Sequence, residues 1–133
     1  IAEHGSEVRF IFRNFPLQQH ANAELMARAA EAADKQGKYF EMHDKIYAKQ
    51  SEWSESKDAQ SLVESYAKAL GLDSDKFAAD LFDSGVTDRI TKDTQDASTL
   101  ALSGTPSFFL NGQSLPNPKS YDELVKAVQA AGK

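Results

Sequence analysis

Between residues 21 and 36, Leu25, Met26, Ala29, Ala30 and Ala33 recur at helical spacing, and Gly37 follows where a helix would stop. A second helix is predicted at once, with Tyr39, Phe40, His43, Ile46 and Tyr47 on one apolar stripe and Trp53 just beyond it. Asp58 to Leu70 reads as a third, carrying Leu62, Val63, Tyr66, Ala67 and Leu70 ahead of Gly71. A short fourth around Phe77 and Leu81 runs from about Asp73 to Asp83, with Gly85 as its stop. A longer helix from Val86 to Leu102 turns Ile90, Thr94, Ala97 and Ala101 inward and ends at Ser103-Gly104-Thr105-Pro106.

Elsewhere the period is that of a strand. Val8 to Phe15, rich in aromatic and β-branched residues and closed by Pro16, reads as a strand buried on both faces near its centre. Ser107 to Leu110 and Gln113 to Leu115 flank Asn111-Gly112, a strong two-residue hairpin signal. Ser120, three residues before Glu123, forms a capping box for a last helix bearing Leu124, Val125 and Val128. Ile1 to His4, ending at Gly5, reads as the last turn of a helix, so the expectation is a chain that begins mid-element. The predicted order is strand, about five helices, hairpin, helix, without repeats or linkers.

Composition narrows the chemistry. The chain has 133 residues, 26% of them charged and 41% hydrophobic, which suits one folded domain. A net charge of -5 with no basic block lacks the footprint of a nucleic-acid binder, and no apolar run is long enough to span a membrane. The cysteine count is zero, which excludes a disulfide, a thiolate nucleophile and any Cys-ligated metal or iron–sulfur centre within the chain.

Other candidates are weak. His4, His20 and His43 show no His-x-x-x-His spacing, so neither a metal nor a cofactor is expected, and His43 reads as a packing residue. Asp73-Ser74-Asp75 resembles the start of a calcium loop, but Phe77 and Ala78 stand where an oxygen ligand and glycine are required. No Gly-x-Ser-x-Gly elbow or glycine-rich phosphate loop occurs. The aromatic stripe of Tyr39, Phe40, Tyr47 and Trp53 reads as core rather than as a ligand cage. Thr105-Pro106 is less ordinary, because a proline opening a strand leaves neighbouring backbone groups outside the ladder. Local chemistry leaves cis and trans open there and favours trans, since only about 5–6% of X–Pro bonds in folded proteins are cis.

Four segments together carry a resemblance: Phe12-Arg13-Asn14-Phe15-Pro16-Leu17 with His20, the stretch from Ala29 to Trp53, Ser103 to Gly112, and Ser120-Tyr121-Asp122-Glu123-Leu124. In this order they resemble a DsbA-type thiol-disulfide oxidoreductase of the thioredoxin superfamily. The resemblance implies an α/β fold (α+β by some schemes), thioredoxin-like, over residues 1–133 as a single domain, with a helical insertion at about 18–85. It implies that Pro106 is the family's cis proline and that Thr105 and Pro106 bind substrate backbone. The partners implied are protein or peptide substrates, and the location is extracytoplasmic, periplasmic or cell-envelope.

The family's Cys-x-x-Cys pair, its first strand and most of its first helix have no counterpart here, so they are expected upstream of Ile1. Catalytic residues within this chain are therefore none. The missing strand would lie between Val8–Arg13 and Ser107–Leu110, and leaving its slot empty would strand backbone groups at about 1–3 kcal/mol each when buried. A homodimer paired along that edge is the first expectation, with a retained N-terminal peptide or closure of the two strands as alternatives. Two function classes stay open: part of an oxidoreductase, or a redox-inert thioredoxin-like module that binds peptides or proteins. With no sulfur nucleophile, the purified 133-residue chain is predicted to leave a model disulfide unreduced above the buffer rate; any enzyme-dependent exchange would contradict this.

Overall fold

The computed structural model describes residues 8–132. Seven helices and one hairpin follow in order: α1 (Ala23–Asp34), α2 (Tyr39–Ala48), α3 (Gln50–Trp53), α4 (Ala59–Ala69), α5 (Ser74–Asp80), α6 (Ser84–Thr99), β1 (Phe108–Leu110), β2 (Gln113–Leu115) and α7 (Tyr121–Ala131). The chain divides into two compact units. One runs from Asn14 to Thr99; the other combines the residues up to Arg13 with those from Leu100 onward.

The helical unit is built on alanine. Ala29, Ala30, Ala32 and Ala33 are buried on α1, whose small side chains let it pack closely against α2, α4, α5 and α6. Met26, Met42, Ile46, Val63, Tyr66, Phe77 and Leu81 fill the space around them. Glycine stops two of these helices in the same way. Gly37 (φ 72°) and Gly71 (φ 75°) take the left-handed conformation that L side chains resist. The following amides then reach back, Lys38 N–H to Ala33 O and Leu72 N–H to Ala67 O, both at 3.0 Å, closing the last turn of each helix.

Side chains fasten the turns between helices. The Asn22 amide donates to the carbonyls of Trp53 (2.7 Å) and Ser56 (2.9 Å), tying the entry of α1 to the turn after α3. The Gln36 amide exchanges two bonds with the Asp73 backbone, accepting at 2.9 Å and donating at 3.3 Å. Asp73 itself caps α5, its carboxylate accepting from Lys76 N–H at 2.9 Å. The acidic run that superficially opened a calcium loop is thus a helix start.

One buried carboxylate holds the beginning of this unit. Asp93 lies on α6 with its side chain fully buried. Its Oδ2 accepts from the Asn14 backbone N–H at 2.9 Å, from Asn14 Nδ2 at 3.2 Å and from Arg89 Nε at 3.4 Å. Asn14 is itself buried.

The second unit is smaller. β1 and β2 pair antiparallel, Phe108 opposite Leu115 and Leu110 opposite Gln113. Asn111 (φ 50°) and Gly112 (φ 80°) both take positive φ, the geometry that a tight two-residue hairpin loop demands. Ser120 caps α7, its hydroxyl accepting from Glu123 N–H at 3.2 Å, while Glu123 accepts from Lys119 N–H at 2.7 Å.

Several expectations are corrected. No strand forms over Val8 to Phe15, and among the described residues the sheet contains only β1 and β2. Phe10 and Ile11, expected inside, are 47% and 55% exposed. A strand exists only by pairing, and without a partner strand the β-forming residues of this segment have nothing to complete. Direct closure of this segment onto β1 is likewise not seen. Ile1 to Gly5 lies outside the described residues. Gly85 does not end α5; it belongs to the first turn of α6, where its N–H donates to Asp83 Oδ1 at 2.9 Å. Ala101 is exposed with φ 52°, two residues past the end of α6, so it is not an inward helix position.

The buried side of α2 is Met42 and Ile46, with Tyr39 packed against the core, so Ile46 and Tyr39 of the expected stripe face inward whereas Met42 takes the place of Phe40, His43 and Tyr47. Phe40 and Tyr47 are 46% and 60% exposed, whereas Trp53 is buried and donates Nε1–H to Ile46 O at 2.7 Å.

Replacing Asp93 by alanine would leave two Asn14 donors inside the protein without their acceptor. The expected loss is about 3 kcal/mol of unfolding free energy, measurable by urea denaturation; a change below about 1 kcal/mol would show that these bonds are dispensable.

Candidate functional site

Thr105 and Pro106 sit in the second unit, on the loop that leads into β1. Their peptide bond is cis. Both residues are exposed, so the loop is open to a partner. Ser107 Oγ donates to Gly104 O at 2.7 Å, a local clasp across the two residues. Gly104 has open space where a Cβ would stand. The loop thus presents backbone and hydroxyl side chains, and no thiol.

Of the three histidines, two are described. His20 is exposed in the turn before α1, and His4 lies outside the described residues. His43 stands on the outer side of α2, its Nδ1 3.0 Å from Asp44 Oδ1 and its ring 4.8 Å from that of Tyr47. Among the described residues, no three His, Cys, Asp or Glu side chains group in a way that could hold a metal ion.

One buried electrostatic feature is one that sequence reasoning missed. Around Asn14, the carboxylates of Glu31 and Asp93 share a single amide: Nδ2 donates to both. Burial pushes the Glu31 carboxyl above its ordinary 4.5, with Asp34 and Asp93 adding repulsion, against the opposing pull of the Asn14 bond and Arg89. Tyr39 is driven the same way: burial first, then Glu31 and Asp93, keep its phenol neutral. Asp93 falls on the same helical face as Val86, Ile90 and Ala97, a spacing already present in the sequence, but its charge kept it from being counted among the inward positions. Asn14 was visible only as part of the Phe12–Leu17 motif, without a partner.

The comparisons with known proteins agree with this architecture. The sequence profile described as thioredoxin matches residues 2–130. The chain belongs to the thioredoxin family. The crystal structure of a thioredoxin-like oxidoreductase from Silicibacter pomeroyi DSS-3 superposes with a TM-score of 0.71 at 30% identity, over 90% of this chain and 65% of that one. Together these place the chain among DsbA-like proteins of the thioredoxin superfamily, mostly helical with a small two-stranded sheet. Curated relatives include the Na(+)/H(+) antiporter NhaA 1 of Mycobacterium sp. (strain KMS), 37% identical over 95% of this chain and 20% of its own length. The Na(+)/H(+) antiporter NhaA 3 of Salinispora tropica is 39% identical, over 95% of this chain and 19% of its own length. The chain therefore spans about a fifth of the curated relatives it matches. Among the described residues, no helix is long and apolar enough to cross a membrane.

The raised Glu31 pKa fixes the sign of a pH effect. A carboxyl that holds its proton more tightly when folded stabilises the fold most below its ordinary value of 4.5, and that contribution fades as pH rises through the raised value. Glu31→Gln keeps an acceptor for Asn14 and removes the titration. The variant is expected to gain stability over the parent as pH goes from 4 to 7, read by urea denaturation; a gap independent of pH would contradict the assignment.

Proposed function

We propose that this chain is the C-terminal major part of a DsbA-like protein thiol-disulfide oxidoreductase whose redox cysteines lie outside it. The observation that carries the reading is the exposed Thr105–Pro106 loop at the start of a hairpin-and-helix unit, in a chain that belongs to the thioredoxin family. In this reading the Thr105 backbone and the Pro106 ring present a docking edge to substrate polypeptide, through main-chain hydrogen bonds that do not depend on substrate sequence. A cysteine pair supplied from outside this chain carries the exchange. In the oxidising direction, a substrate thiolate attacks the disulfide of that pair, and a mixed disulfide forms as one pair thiolate leaves. The second substrate thiolate then attacks the mixed disulfide. The substrate gains a disulfide, and the pair is left as a dithiol holding the two electrons and two protons. The setting proposed is extracytoplasmic, where disulfides persist. Antiport is not carried over from the NhaA relatives, which share only a fifth of their length with this chain.

A redox-inert binding module is the second reading, favoured by the total absence of cysteine. Both readings use the same loop, and one experiment separates them. The full natural open reading frame is expressed and assayed for oxidation of a reduced cysteine peptide. The oxidoreductase reading expects turnover that is lost when upstream cysteines are changed to serine. It also expects Thr105→Arg to raise KM for the peptide at least fivefold while leaving the rate with a small dithiol unchanged. A reading frame without a cysteine pair, or without turnover, would leave the binding module as the function.

A further inference from the structure

A groove of about 550 Å³ opens within the helical unit, between the segment Phe15 to Gln19 and α6. Such a volume lies in the range of ligand sites. Its apolar part is Phe15, Pro16, Leu17 and Ile90. Its other wall is a stripe along α6 that carries no charge.

That stripe is a matter of helical phase. Thr87, Thr91, Thr94 and Ser98 line the groove and fall within about 60° of arc at 100° per residue, with Gln95 just beside them. The five charged residues of α6, Asp88, Arg89, Lys92, Asp93 and Asp96, all lie on the remainder of the helix circumference. Solvent exposure alone does not require such a segregation, since charges and neutral polar groups are equally content in water.

The charges that do reach the groove are already matched. Arg28 donates to Glu24 through Nε (3.0 Å) and Nη2 (2.7 Å), and to Thr87 Oγ1 through Nη1 at 2.9 Å. In contrast, the side chains of Gln18, Gln19, Thr91 and Gln95 have no partner among the described residues. Each glutamine amide offers two donor hydrogens and an acceptor.

We propose that this groove binds an extended, uncharged polypeptide segment. Charge complementarity selects that occupant: an acidic or basic segment would bring its charge against walls whose only ions are paired with each other. An extended backbone offers N–H and C=O groups in alternation, the complement of side-chain amides that both donate and accept. From Thr87 to Ser98 the helix rises about 16 Å, the length of roughly five extended residues. The inference deepens the proposed function, resting on action upon protein substrates, and gives the helical unit a part in choosing them.

The test uses the 133-residue chain, labelled with nitrogen-15, and a ten-residue peptide of Thr, Asn and Val. Saturable shifts are expected on the Nε2 resonances of Gln18, Gln19 and Gln95. Analogues with Glu or Lys at alternate positions are expected to bind at least tenfold more weakly. Thr91→Lys and Gln95→Glu, both at exposed positions, are each expected to weaken the neutral peptide at least tenfold without disturbing the rest of the spectrum. Shifts that map outside the groove, or equal affinity for neutral and charged peptides, would overturn the proposal. Because no thiol chemistry is measured, failure here leaves the oxidoreductase reading standing, and failure of that reading leaves the groove.

Discussion

A fully buried carboxylate is the constraint on which the helical unit turns. Asp93 can remain inside only because donors converge on it, among them both the backbone and the side-chain amide of Asn14. The backbone at Asn14 is thereby fixed, and with it the start of Phe15-Pro16-Leu17, which forms the apolar side of the groove. Proline adds to this, since the residue before it is confined to extended conformations. A hydrophobic pair in place of Asn14 and Asp93 could match the burial, yet it would tolerate small shifts of the chain that directed hydrogen bonds do not.

Glu31 complicates the arrangement. It competes with Asp93 for the same amide and sits close enough for the two carboxylates to repel, with Arg89 as the compensating cation. Tyr39 resists ionisation chiefly because it is buried, and the same carboxylates add to the effect. The cluster thus sets two acids against the Asn14 amide and the Arg89 guanidinium, and the second acid is tolerated because Glu31 is only half buried.

Elements with a local cause were legible in the sequence. The stops at Gly37 and Gly71, the Asn111-Gly112 hairpin and the Ser120–Glu123 cap each need only a few neighbouring residues, and all are present. Elements whose cause is distant were not. Val8 to Phe15 has strand composition, but pairing requires another strand, and composition cannot supply it. On α2, Phe40 and Tyr47 are more hydrophobic in appearance than the site they occupy, while Met42 faces inward because α1 and α4 lie there. The Thr105–Pro106 loop was marked by local chemistry and by resemblance, whereas the Asn14–Asp93 pair, 79 residues apart, was marked by neither.

The absence of cysteine shapes how the chain can contribute to a thiol reaction. Exchange requires a thiolate, and its rate depends on that thiolate's pKa and on access to the attacked sulfur. A chain without cysteine cannot supply that thiolate; it can act only through the surroundings of the thiolate and through where and how a polypeptide is held. In the proposed reading, the exposed Thr105–Pro106 loop offers backbone pairing indifferent to side chains, and the proposed peptide groove beside α6 offers neutral amides that discriminate against charge. The two forms of recognition differ in kind: the first accepts any extended strand, and the second filters by composition. A protein that acts on many unfolded substrates gains from having both, because generality at the reacting bond and selectivity away from it can then be tuned by separate residues.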